Sequence, residues 1–84
     1  MNVGEFALAA YRYCKSTRGS VTSWGRTVQR NKRVGGVPRS WHLQFQAVDV
    51  AYDKRPTLAE AQEKAKAQGL LVIREKDHDH VQPL

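Results

Sequence analysis

The 84-residue chain holds three histidines, which fall in two short segments: His42, then His78 with His80. Asp49 follows His42 by seven residues, and Glu75 and Asp77 stand beside the later pair. Imidazole nitrogens with one carboxylate and a water form a common open zinc site. The H-x-H spacing has a physical use here. Residues i and i+2 of a strand point to one face, so His78 and His80 can reach one ion. His42 and Asp49 differ by an odd number and would occupy opposite faces of a regular strand. A shared ion therefore requires a β-bulge, or His42 in the loop before the strand. A plainer reading stands beside this one: surface histidines, two of them in an acidic, frayed tail (KDHDH).

The elements that must position these residues can be read from the same chain. Residues 5–15 contain neither Gly nor Pro, and Phe6, Ala9, Ala10 and Tyr13 recur at helical spacing, which predicts a helix of about three turns. Gly19 is expected to end the region that follows. Val21, Thr22 and Trp24 suit a short strand within residues 20–26. Residues 31–40 (NKRVGGVPRS) are dense in Gly, Pro and charge and read as a loop. Residues 42–52 (HLQFQAVDVAY) read as a central strand with a bulge permitted.

A second helix opens at Pro56-Thr57. Thr57 and Glu60 have the spacing of a capping box, in which each side chain satisfies an orphan N–H. Glu60 and Lys64 have the spacing of a stabilising ion pair. Gly69 stands where a left-handed C-cap belongs. Residues 70–74 (LLVIR) form a short apolar strand, and residues 78–84 supply a last one before Pro83. The order helix, strand, loop, strand, helix, strand, strand is that of an α+β domain: a small, mostly antiparallel sheet with two helices.

Composition narrows the classes further. Fourteen Lys+Arg against eight Asp+Glu give a net charge of +6. That suits an anionic partner such as nucleic acid, a cell-wall polymer or a lipid surface, without choosing among them. The length fits one domain, residues 1–84, with one core. A single cysteine, Cys14, excludes an internal disulfide framework and a multi-cysteine zinc module; it reads as a small buried apolar residue. No apolar run approaches the ~20 residues of a membrane span. The first residues lack a basic segment ahead of their apolar stretch, so synthesis in the cytoplasm without a signal peptide is expected. Trp24 and Trp41 are expected in the core or a cleft wall, and a monomer is expected.

At this point the sequence resembles a family. Segment RNKRVGGVPRSWHLQFQAVDV is similar to the first signature of the M15-type zinc D-Ala-D-Ala carboxypeptidases and peptidoglycan endopeptidases. That signature runs S-x-H-x-x-G-x-A-x-D after N-x-x-V-G-G-V-P. Ser40, His42, Ala47 and Asp49 fall in register, preceded by Asn31, Val34, Gly35, Gly36, Val37 and Pro38. The family's upstream Arg, in an S-G-Y-R-S/T turn, is matched by Arg26 in S-W-G-R-T, five residues before Asn31. The family's closing H-x-H-V, with an acidic residue three before the final His, is matched by Asp77 and His80 in DHDHV. The resemblance runs from about residue 21 to 82. One departure is Phe45, where the family has Gly, so the local turn must differ.

The resemblance implies a hedgehog/DD-peptidase-like fold and a hydrolase. It implies His42, Asp49 and His80 as zinc ligands, Asp77 as general base and His78 as the group stabilising the oxyanion. It implies Arg26 and Ser40 as anchors for a peptide carboxylate, which a guanidinium can clamp with two bonds. The substrate would be a peptidoglycan stem peptide, and the small basic chain would suit a phage lysis or virion-associated protein acting at the cell wall. If His78 were the ligand instead of His80, Glu75 would be the base. Two other readings remain: a zinc-binding domain without catalysis, its cleft reshaped by Phe45, and a basic nucleic-acid binder. The charge cluster Arg26, Arg30, Lys32, Arg33 and Arg39 is all that supports the last.

Overall fold

The computed structural model describes residues 1–24 and 46–84. Among these the order is α1 (Val3–Thr17), β1 (Gly19–Trp24), β2 (Val48–Tyr52), α2 (Leu58–Lys66), β3 (Leu70–Arg74) and β4 (Asp79–Pro83). The strands form one sheet in the order β1-β2-β4-β3, antiparallel at every pairing. This is the small antiparallel α+β fold that the element order predicts. α1 packs against β1 and β2, α2 packs against β3, and the two helices touch each other.

α1 begins two residues earlier than its apolar pattern, because Asn2 caps it. The Asn2 side chain accepts from Glu5 N–H, and Glu5 returns a bond to Asn2 N–H. Its apolar face is the expected one: Phe6, Ala9, Ala10 and Tyr13 are all buried. The helix ends at Arg18, which takes the left-handed conformation at φ 57°. Gly19 is not the stop signal. It opens β1, where a Cβ would stand 2.6 Å from Val50 Cγ1. Close packing of the Val50, Tyr52 and Thr17 side chains, and not a turn, is the reason for glycine there.

Thr57 caps α2 by accepting from Glu60 N–H. The box closes differently from the expectation, since the Glu60 carboxylate accepts the Thr57 hydroxyl proton. Lys64 donates to the Ser16 carbonyl of α1, joining the two helices, in place of the expected pair with Glu60. Gly69 has φ 74° and turns the chain into β3 as anticipated.

The core lies between the helices and one face of the sheet. Phe6, Ala10, Tyr13, Val48, Val50, Ala61, Ala65, Leu70 and Val81 form one buried cluster. Alternation then assigns the faces. Val48 and Val50 of β2, Val72 of β3 and Val81 of β4 face the helices. Asp49, His80 and Ile73 fall on the opposite face, in one row across β2, β4 and β3. Cys14 is half-buried against the core, and burial raises its thiol pKa. Trp24 is partly exposed and meets Phe6 edge-on, with ring centroids 5.6 Å apart.

Residues 48–52 of the expected central strand form β2, and residues 42–45 lie outside the described residues. β1 carries a bulge between Val21 and Ser23, where Thr22 donates its hydroxyl to the Asp49 carbonyl. The last segment forms the expected strand and not the frayed tail of the plainer reading: β4 is an interior strand, paired on both sides by β2 and β3.

Candidate metal and catalytic site

β2 and β4 bring two of the sequence-derived candidates together. Asp49 and His80 are direct cross-strand partners. The Asp49 Oδ1 atom lies 3.8 Å from His80 Nδ1 and 3.8 Å from His78 Nε2. Both imidazoles lie on the side of this carboxylate, although His78 stands just before the strand. Arg26, Ser40 and His42 lie outside the described residues, as do Trp41, Phe45 and the basic cluster.

Hydrogen bonds on the far nitrogens set the imidazole tautomers. His80 Nε2–H donates to Gln82 Oε1 at 2.7 Å. His78 Nδ1–H donates to Asp77 Oδ1 at 2.7 Å. In its neutral form each ring would then present its other nitrogen, as an acceptor, on the side of Asp49. A carboxylate and an imidazole nitrogen are donor types that zinc accepts. The Gln82 bond to the outer nitrogen of His80 is the support that metal-ligating histidines receive. The donor chemistry of Asp49 and His80 thus fits zinc. Among the described residues, no group of three His, Cys, Asp or Glu side chains is itself arranged to hold a metal.

Asp77 is well exposed, and its hydrogen bond from His78 lowers its carboxyl pKa. Glu75, the rival base, has its amide tied to the His78 carbonyl, closing the turn between β3 and β4.

Sequence reasoning missed the groups behind the site. Asp79, between the two histidines, is fully buried on the helix side of β4. Arg74 grips it with two bonds of 2.9 Å, Arg55 adds one of 3.0 Å, and Tyr52 donates another at 2.8 Å. Tyr13 of α1 joins through Tyr52, with hydroxyls 2.6 Å apart. Burial works to raise the Asp79 carboxyl pKa, but the bonds from Arg74, Tyr52 and Arg55 outweigh it and hold the carboxyl below its ordinary value. The signal was present in alternation: Asp79 shares a face with Val81 and Pro83, opposite Arg74 across the hairpin. Gln82 gave no such signal, because an amide at i+2 from a histidine has many uses.

No helix among the described residues is long and apolar enough to cross a membrane. Comparison with the curated proteins finds no match, and neither does comparison with the solved structures. The family model described as Peptidase M15 matches residues 8–82, which takes in most of α1, all of α2, β1, β2 and β3, β4 up to Gln82, and every candidate site residue. The chain belongs to the Peptidase M15 family.

Proposed function

We propose that this chain is a zinc-dependent peptidase that hydrolyses an amide bond in peptidoglycan stem peptides, as a carboxypeptidase or an endopeptidase. M15 peptidases are typically zinc-dependent and act on peptides. The observation that carries the reading is the Asp49–His80 pair, in register across β2 and β4, with His78 beside it. His42, Asp49 and His80 would hold the ion. When bound, zinc polarises the scissile carbonyl and lowers the pKa of its water toward ~7.

The protein's own groups do the rest. An Asp77 oxygen takes the proton of the attacking water as the C–O bond forms. It returns that proton to the amine nitrogen as the C–N bond breaks. His78, oriented by Asp77 through Nδ1, would stabilise the developing oxyanion as an imidazolium, donating from Nε2. Arg26 and Ser40 anchor the peptide carboxylate. Action at a cell wall by a phage-encoded protein would suit this substrate.

The test is metal content of the purified protein, thermal melting before and after chelation, and cleavage of a D-Ala-D-Ala peptide. About one zinc per chain and turnover that Asp77→Ala abolishes support the reading. Zinc without turnover would identify a binding domain that has lost catalysis. Absence of zinc uptake would overturn the reading.

A further inference from the structure

Arg55 lies outside every motif discussed above, between β2 and α2, yet its guanidinium spans the turn between β3 and β4. Nη1 donates to the Lys76 carbonyl at 3.0 Å. Nη2 donates to the Glu75 carbonyl, to the His78 carbonyl at 2.8 Å and to Asp79 Oδ1 at 3.0 Å. Three carbonyls of one turn and one buried carboxylate are thus held by a single planar fork. The carbonyls belong to residues 75, 76 and 78, so the backbone on both sides of Asp77 is fixed.

We propose that Arg55 is a positioning residue: it holds the 75–78 turn in the one conformation that sets His78 beside Asp49 with Asp77 bonded to its outer nitrogen. This rests on the reading above that Asp77 and His78 serve the reaction. The division of labour with Arg74 supports it. Arg74 bonds only the Asp79 carboxylate, with both oxygens engaged, and so secures the buried charge. Arg55 spends three of its four bonds on turn carbonyls, where they contribute to shape. A four-residue turn rich in charge (EKDH) has no apolar side chain with which to anchor itself. A lysine could not replace the fork, since one ammonium cannot reach acceptors spread along the turn in a fixed plane.

The experiment compares wild type, Arg55→Ala and Arg55→Lys. Backbone ¹⁵N order parameters are measured on the metal-free protein, and kcat and KM on the zinc-loaded protein. The expected result is a fall at residues 76–78 from the rigid value of ~0.85 to below ~0.6, with α1 and β2 unchanged. kcat should fall at least ~10-fold with KM unaltered, because a displaced catalytic group costs rate more than binding. Arg55→Lys should lie near Arg55→Ala in both readouts and keep its fold through the Arg74–Asp79 pair. Order parameters that stay high in the turn, or that drop equally throughout the chain, would overturn the proposal. So would unchanged kcat in an active enzyme. If the wild-type chain shows no turnover, the proposed function fails, and the order parameters alone decide whether Arg55 sets the turn.

Discussion

Asp49 and His80 face each other across two central strands, and the carboxylate oxygen of one lies 3.8 Å from Nδ1 of the other. The pair is fixed by backbone hydrogen bonding, so its spacing does not depend on loops. The far nitrogen of His80 is held by Gln82 at 2.7 Å. Removing that acceptor should loosen the ring and release its tautomer. Gln82→Ala is therefore expected to weaken zinc binding ~10–100-fold, measured by competition with a chromogenic chelator. Gln82→Glu keeps an acceptor and should retain most of the affinity. Equal affinity in Gln82→Ala and wild type would show that the bond has no bearing on the metal.

Asp79 predicts a stability effect separate from the site. Its side chain is fully buried and receives bonds from Arg55, Arg74 and Tyr52. Asp79→Asn removes the negative charge and leaves two guanidinium groups facing a neutral amide. Breaking a buried pair costs about 3–5 kcal/mol, and partial exposure of both arginines places this case at the lower end. Urea unfolding of the metal-free variant measures it. A loss under ~1 kcal/mol would show that water replaces the pairing freely.

The two tyrosines set an alkaline limit. Burial pushes the Tyr13 phenol pKa up. Burial and the hydrogen bonds to Tyr13 and Asp79 push that of Tyr52 well above its ordinary value. Both phenols therefore stay protonated in the fold at pH values where the unfolded chain, near ~10, begins to ionise. Their contribution is complete below that pH and is lost as pH rises beyond it, by up to about 1.4 kcal/mol per pH unit for each group. Thermal melts from pH 8 to 11 should show Tm falling above ~10. Tyr13→Phe should flatten the fall, and an identical slope in that variant would assign it to other groups.

Gly19 gives the sharpest packing prediction. A methyl group there would stand 2.6 Å from Val50 Cγ1 and 3.1 Å from Tyr52 Cε1. Gly19→Ala should cost about 1–3 kcal/mol by overpacking, read from chemical denaturation. Val50→Ala in the same chain should recover part of that loss, since it removes the clashing methyl.

Much of this fold is legible in the sequence. The helical spacing of Phe6, Ala9, Ala10 and Tyr13 gives α1 its buried face, and residues 70–74 form β3 with the bounds their apolar run marks. What failed to show were features that depend on a neighbour distant in the chain. The bulge at Thr22 answers to β2, the glycine at 19 answers to Val50, and Lys64 answers to Ser16 of the other helix. The role of Asp79 stayed hidden for the same reason, because it looks solvated until Arg55 and Arg74 are placed around it. In the candidate site, the i, i+2 rule put His78 and His80 on the face of Asp49. Their supports, Gln82 and Arg55, carry no local pattern and needed coordinates.

The strand order β1-β2-β4-β3 has a kinetic consequence. β2 and β3 are joined through α2 but do not pair; the space between them belongs to β4, which comes later in the chain. β3 and β4 are antiparallel neighbours joined by residues 75–78 alone, so their pairing is local. β2 reaches β4 only across residues 53–78, so the β2–β4 pairing is the longer-range contact that makes one sheet. The same pairing brings His80 opposite Asp49, so a chain able to bind through that pair has its central strands already joined.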